Sequence, residues 1–516
     1  MKIQGKYKMA GRFLVAQFLL VYLKTKNYVG LFLFSDGNDY PELTYVPLGS
    51  NENLFTDGFL PGTAKGNYNA NKIDMGTWGR KKGLILTTYQ VFKGNISFRD
   101  FSASVFELNG KNITITPSQK IPLSTDVNGP WRNIPYPEAS LHNNSVSSGL
   151  PKIADGKFFY ILGVPSWTEN SSVSLFSAIV SVSSNNIVTF ENVTAIDETS
   201  TISEVYSQTS PPAAPFVAVP DYYNVVGAWW DLRVVQPNKN TVVVTFVRLV
   251  RGYFANGSLD SQLAEIHFYA MAVNLSGNSI SSSPPIPIRP AQIATVTELP
   301  VIDKNTDHQV TAVSETAVVT CYIVFEGNPT NWLDRRRRFL SLLTTSGGSI
   351  SVGTEIEIDP FYTYIYPSYD EYKTWLLGSE NYLIFVYTGC LETDIEDFDP
   401  NTNYTVRMLI SLIKKTGSSF ELLETIDTPY NNLYNRSTNT NDCHFIKLSQ
   451  DTFCGMNYSR LSNNPNTGEP IEPHYYMLRV EDDRLICSET FPIKDFDLLE
   501  NQPLIYEGRY REINRI

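Results

Sequence analysis

Cysteine is scarce in this chain of 516 residues: there are 5. A small, odd count excludes a disulfide framework. Cys321, Cys390, Cys443, Cys454 and Cys487 all lie in the second half, with no C-x-x-C spacing. They read as buried free thiols, which pack like small apolar side chains. Histidine is equally rare, and His142, His267, His308, His444 and His474 are scattered without the paired spacing of a zinc site. Positive charge is also short. Lys and Arg total 41 against 53 Asp and Glu, giving a net charge of −12, so no large cationic face exists to hold a nucleic acid.

Long apolar runs are missing too. No segment reaches the roughly 20 residues of a membrane-spanning helix. The nearest is 13–23 (FLVAQFLLVYL), preceded by Lys2, Lys6 and Lys8. Gln17 interrupts it, Lys24 and Lys26 follow it, and no small-x-small cleavage site appears. It continues through a KTKN turn into 28–34 (YVGLFLF), which reads as a hairpin rather than a signal peptide.

What the chain does have is a cadence. Segments 266–288 (IHFYAMAVNLSGNSISSSPPIPI), 337–358 (RRFLSLLTTSGGSISVGTEIEI) and 405–428 (TVRMLISLIKKTGSSFELLETIDT) share one plan: apolar strand, tight polar turn, β-branched strand. In the second, Ile350, Val352, Ile356 and Ile358 fall on one face and Ser351, Glu355 and Glu357 on the other. That is a strand with one face buried. An aromatic content of 13%, with 30 Tyr and 28 Phe, suits pleated surfaces. A supersecondary unit repeated at this scale predicts a β-propeller. The fold class expected is all-β, a β-propeller of four-stranded blades, seven in number. Residues 1–516 form one domain with blades at 10–48, 71–123, 151–196, 228–288, 308–358, 373–428 and 444–493. Residues 494–516 would complete closure, 504–513 pairing near 5–13. The competing architecture is a row of β-sandwiches, but no long Pro/Gly/Ser linker divides the chain.

In a blade of strands A to D, the A–B and C–D turns share one face of the disc. The B–C loops and D–A connections share the other. The C–D turns here are short: NGKN (109–112), SGN (276–278), SGGS (346–349) and EDDR (481–484). Their residues tolerate positive φ. The long excursions are the B–C loops 328–336, 391–403 and 462–473 and the D–A connections 124–150, 197–220 and 428–441. They therefore crowd the opposite rim, where a repeat scaffold places its binding surface. The aromatic candidates on that rim are Trp131, Tyr136, Trp167, Trp332, Tyr362, Tyr364, Tyr366, Tyr430 and Tyr434. Flat rings beside amides and carboxylates suit a glycan or a protein partner.

Other chemistry is thinner. Asp394, Glu396, Asp397 and Asp399 could offer oxygen ligands to Ca²⁺, but lack the glycine and the terminal Glu of an EF-hand-type loop. They read as a solvated acidic loop, and no cofactor is expected. Arg335–Arg338 reads as a solvated, edge-protecting run. N-x-S/T triplets such as Asn95, Asn112, Asn143, Asn170, Asn192 and Asn256 occur at about the frequency expected by chance in a chain rich in these residues. No S-x-D-x-G-x-T-W repeat, no WD-type blade ending and no G-x-S-x-G elbow is present. A propeller enzyme would need inward carboxylates or a Tyr/Glu pair near the axis.

The stretch 346–355 (SGGSISVGTE) resembles blade endings in propeller-type proteins of phage virions and of bacterial surfaces. That resemblance rests on a turn-plus-strand pattern and carries over no family-defining residue. It implies a non-catalytic structural or adhesive part, in a virion or extracellular, recognising a protein or glycan. The alternatives are a secreted or surface glycoprotein of a eukaryotic microbe and, third, a propeller-type glycosidase.

Overall fold

A computed structural model describes residues 18–23, 28–35, 42–50, 72–79, 81–93, 96–109, 112–117, 119–121, 150–164, 173–199, 216–217, 228–254, 263–290, 292–295, 308–326, 333–364, 374–389, 407–428, 441–459 and 474–492. These residues form seven antiparallel sheets, each built from consecutive stretches of chain.

Sheet 1 has three strands, Phe18–Leu23, Tyr28–Ser35 and Glu42–Ser50. Sheet 2 runs Lys72–Trp78, Lys82–Lys93, Ile96–Asn109 and Asn112–Ile115. Sheet 3 runs Lys152–Ala154, Lys157–Val164, Val173–Val182 and Val188–Thr199. Sheet 4 runs Ala228–Asn238, Thr241–Phe254, Leu263–Ser276 and Ser279–Ser282. Sheet 5 runs Gln309–Ser314, Ala317–Glu326, Leu333–Ser346 and Ser349–Val352, with Ile356–Tyr364 continuing its outer edge. Sheet 6 runs Thr374–Gly378, Tyr382–Gly389, Arg407–Thr416 and Ser419–Asp427. Sheet 7 runs Asn441–Lys447, Thr452–Ser459, His474–Glu481 and Arg484–Pro492. Within sheets 2 to 7 these strands serve as A, B, C and D.

Period-2 alternation decides how the sheets stack. In strand B of sheet 3, Phe158 and Tyr160 join Leu84, Leu86, Ala103 and Val105 of sheet 2. Their neighbours Phe159 and Ile161 point the other way and join Val242, Val244, Met271 and Val273 of sheet 4. The pattern then repeats. Val243, Phe268, Ala270 and Ala272 of sheet 4 meet Val318, Tyr322, Phe339 and Leu343 of sheet 5. Val319, Cys321 and Leu340 meet Leu383, Phe385, Tyr387 and Leu409 of sheet 6. Ile384, Val386, Ile410 and Leu412 meet Phe453, Tyr476 and Leu478 of sheet 7. Sheets 3 to 6 are therefore buried on both faces, at roughly 1.5–3 kcal/mol per large apolar side chain. This explains why the B strands read as near-continuous apolar runs. The A strands of successive sheets also pack together, as in sheets 4 and 5, 5 and 6, and 6 and 7. Face-to-face sheets with neighbouring A strands are propeller geometry, not a row of sandwiches.

The tight turns form one tied rim. Gly277, Gly347 and Gly417, evenly spaced in sequence, hold the C–D turns at φ 61°, 55° and 62°. Asp482 and Asp483 do the same in sheet 7 at 50° and 61°. These turns also grip the preceding sheet. Asn278 accepts from Lys157 Nζ at 2.7 Å, and its carbonyl accepts from Asn192 Nδ2 at 2.5 Å. Asp483 accepts from Tyr382 Oη at 2.8 Å and Lys414 Nζ at 2.6 Å. The A–B turns add Asn238 Nδ2 to the Glu315 carbonyl at 2.6 Å.

Some expectations need correction. Strand C of sheet 5 begins at Leu333, so Arg335 and Arg336 lie in the sheet opposite Glu326 and Phe325, not in a B–C loop. The D strand expected as one run is broken at Gly353, whose N–H bonds the Leu342 carbonyl at 2.8 Å. As expected, strands Phe18–Leu23 and Tyr28–Ser35 pair antiparallel, Phe18 opposite Leu33. Cys321, Cys454 and Cys487 are in no disulfide; the first two are buried and Cys487 only partly so. Burial pushes the Cys454 thiol well above its ordinary range and that of Cys487 up to about 12. The expected closure segment 504–513 lies outside the described residues.

Candidate functional site

Counted from the turn glycines Gly277, Gly347 and Gly417, strands C and D of sheets 4, 5 and 6 align residue for residue, so their seams can be compared. Phe268, Arg338 and Met408 occupy the same slot in strand C. The Ile288 N–H bonds the Phe268 carbonyl at 2.8 Å, the Thr428 N–H bonds that of Met408 at 3.0 Å, and Arg338 pairs with Ile358. From that slot Phe268 lies 5.0 Å from the Tyr322 ring of sheet 5. Arg338 sits 4.2 Å above the Tyr387 ring and 5.0 Å from that of Phe385, both in sheet 6.

Arg338 is 1% exposed and is the largest fully buried side chain among the described residues. Its Nη1 approaches Ser411 Oγ and its Nη2 approaches Tyr387 Oη, each at 3.4 Å. Ser411 in turn meets Thr425 Oγ1 at 2.9 Å. This overturns the reading of Arg335–Arg338 as a solvated run. Arg337 points to the opposite face, where its Nε bonds Glu357 at 2.6 Å. Strand alternation thus sends one arginine toward solvent and its neighbour into a seam.

The seam between sheets 4 and 5 carries a second polar group. Tyr322 Oη bonds Ser341 Oγ at 3.0 Å and donates to the Glu355 carboxylate. Burial, and then this bond to Glu355, raise the Tyr322 phenol far above its usual range. Arg289 covers the rings of Phe339 at 4.8 Å and Tyr322 at 5.5 Å, with its Nε 3.6 Å from Glu355. This is a Tyr/Glu pair of the kind a propeller enzyme could use. It spans strands B and D, however, away from the inner A strands, and its phenol is held protonated. On the inner side of the same seam, Thr245 Oγ1 meets His308 Nε2 at 2.8 Å, and both are buried. Sequence reasoning missed all of these residues. Arg338, Arg289 and Thr245 meet their partners on the next sheet, whereas Tyr322 bonds Ser341 and Glu355 across strands of its own sheet.

The expected site residues divide into two sets. Tyr362 and Tyr364 lie in strand Ile356–Tyr364, opposite Arg335 and Leu333, not on a loop. Trp131, Tyr136, Trp167, Trp332, Tyr366, Tyr430 and Tyr434 fall outside the described residues, as do Asp394, Glu396, Asp397 and Asp399. Among the described residues no cluster of three metal-ligating side chains occurs, and no helix is long and apolar enough to cross a membrane.

The sheet stacking defines a propeller-type, all-β class. No protein-family model matches the chain, and no curated protein does. Among solved structures it is similar to levansucrases. A B. megaterium levansucrase variant shares 10% identity over 70% of this chain and 87% of that one, with a TM-score of 0.34. Bacillus subtilis levansucrase shares 8% over 84% and 90%, also at 0.34. A levansucrase variant complexed with sucrose shares 9% over 69% and 86%, at 0.32. A likeness of this size transfers neither fold nor residue role. These neighbours are nevertheless enzymes. They stand against the expectation of a non-catalytic structural or adhesive part with no enzymatic activity, which is corrected to that extent. Of the readings drawn from sequence, the propeller-type glycosidase is the one they match, and the virion, tail and adhesion associations gain no support. The error has a physical source. Propeller sites are assembled from several blades, so the absence of a local motif says little about catalysis.

Proposed function

We propose that the chain is a single-domain propeller with the seven sheets as its blades, binding a saccharide at its long-loop rim and acting on a glycosidic bond there. The observation that carries this reading is the division between rims. The short turns are spent tying sheet to sheet, as at Asn278 and Asp483. The long connections, such as those from Gly389 to Arg407 and from Ser459 to His474, all leave from the other ends of the strands. Closure of the ring is supported by burial at both ends of the series. Ile85 and Phe106 of sheet 2, and Cys454, Met456, Tyr475 and Met477 of sheet 7, are buried on faces that no other described core covers.

The aromatics named on those connections would supply stacking platforms for sugar rings. Asp394, Glu396, Asp397 and Asp399 lie on the B–C connection of sheet 6 and would supply carboxylates. Glycosidic cleavage needs two carboxyl groups about 5–10 Å apart. The test is sugar release from sucrose and from a panel of oligosaccharides, followed by single Asp→Asn and Glu→Gln changes in that acidic group. At least one change should lower turnover by about 10²-fold or more. An absence of both turnover and saccharide binding across the panel overturns the reading.

A further inference from the structure

We infer that sheets 2 to 7 carry a guard on their outer edges: a one-residue bulge at one fixed height in each D strand, which keeps those edges from pairing with a second copy of this chain. Three observations carry it.

The first is recurrence. In sheet 5 the D strand advances from Val352 to Ile356 while its partner strand retreats only from Leu343 to Leu340, so one residue is in excess. The same excess recurs in the C–D pairs of sheets 2, 3, 4, 6 and 7. It falls at the level of Thr116, Asn192, Ser283, Gly353, Leu423 and Ser488. From sheet 3 onward, each of these lies six residues after a positive-φ turn residue: Asn186, Gly277, Gly347, Gly417 and Asp482. The side chains differ widely, so the position is what repeats, not its chemistry.

The second is location. The B–C pairs of all six sheets keep a single register. The A–B pairs of sheets 2, 6 and 7 do so too. The C–D pair alone is shifted in every sheet. Among the described residues no strand pairs with the far side of a D strand, whereas the A strands lie against the A strands of neighbouring sheets. The bulge therefore marks the open edge. An open edge offers its N–H and C=O groups to any passing strand, and a bulge bends and twists that edge out of a flat ladder.

The third is that the bulge is tied down. The N–H groups of Thr116 and Ser283 donate to the Val105 and Ala272 carbonyls at 2.9 and 2.8 Å. Their hydroxyls accept from the N–H groups of the same two residues at 2.9 and 3.0 Å. Ser488 Oγ accepts from the Met477 N–H at 2.9 Å. A side-chain oxygen thus serves strand C where a backbone carbonyl ordinarily would.

Burial does not call for the extra residue. Ile350 and Val352 face sheet 4, while Ile356 and Ile358 face sheet 6, so residues expected on one face serve two seams. Deleting Gly353 would leave these four facing as they do now, because alternation on either side of the gap is unchanged. What the deletion changes is the edge. Identical edges that meet antiparallel are self-complementary, and several edges on one molecule would let association continue without closing.

The test is deletion of Gly353 in the full chain, which removes no side chain. Light scattering at equal concentration should show the average mass rising about twofold or more over the unaltered chain, the step from single to paired molecules. Adding Thr354→Lys, at an exposed position that moves into the vacated place, should reverse the rise. Deletion of Leu423 repeats the test in sheet 6 if the first variant does not fold. A folded deletion variant of unchanged mass overturns the guard, and so does a rise that the lysine leaves in place. Failure of both deletions to fold also overturns it, since the bulge would then be a requirement of the sheet itself.

Discussion

The two faces of sheet 5 solve one packing problem in different ways. Toward sheet 4, the shared strand-C slot holds Phe268, its ring tilted against that of Tyr322. Toward sheet 6, the same slot holds Arg338, stacked on Tyr387. A flat guanidinium can replace a phenyl ring here because the next sheet offers an aromatic shelf beneath it and the hydroxyls of Ser411 and Tyr387 at its edge. The slot's shape is fixed by the backbone repeat, and its chemistry by the facing sheet. A third solution is Met408, which packs in the core toward sheet 7.

The contrast can be broken most forcefully by exchange. Phe268→Arg places a second guanidinium in a seam that already holds Arg289. It should cost about 3–5 kcal/mol, the penalty of an uncompensated buried charge. Thermal and urea unfolding will measure it, and a loss under 1 kcal/mol would mean the seams are interchangeable. Tyr322→Phe removes the donor to Glu355 and the bond to Ser341, and should cost about 1–2 kcal/mol by the same measurements. Arg338→Met installs the side chain that sheet 6 uses in this slot. It should cost no more than about 1 kcal/mol, because an apolar replacement of similar volume avoids the desolvation of a buried charge. A larger loss would mark Arg338 as essential to its surroundings rather than one filling among three.

The smallest effect belongs to the tie between sheets 6 and 7, which is open to solvent. The bond from Lys414, and then that from Tyr382, hold the Asp483 carboxyl below its usual range. Its contribution is therefore present above the ordinary carboxylate range and is lost as pH falls through the lowered value. The bond to Asp483 raises both Tyr382 and Lys414, so their contribution is present at neutral pH and lost as strong alkali removes their protons. Asp483→Asn should flatten the acid limb of a stability-against-pH curve. An unchanged limb would show the tie to be inert.

The strand cadence was legible because alternation and turn chemistry are local. Gly277, Gly347 and Gly417 announce their turns by needing positive φ, and Ile350 and Val352 announce a buried face. Arg338 was misread for the same reason. Four consecutive arginines look solvated until alternation and a neighbouring sheet pull one of them inward. The Arg289–Tyr322–Glu355 group was illegible because its members come from two sheets.

By itself, the sequence determined the all-β class, the tight-turn positions and which residues alternate, since these depend on interactions a few residues apart. Tertiary structure alone decided which sheet face meets which neighbour and which charges are enclosed. Those outcomes depend on side chains far apart in the chain, brought together only when each sheet packs against the next.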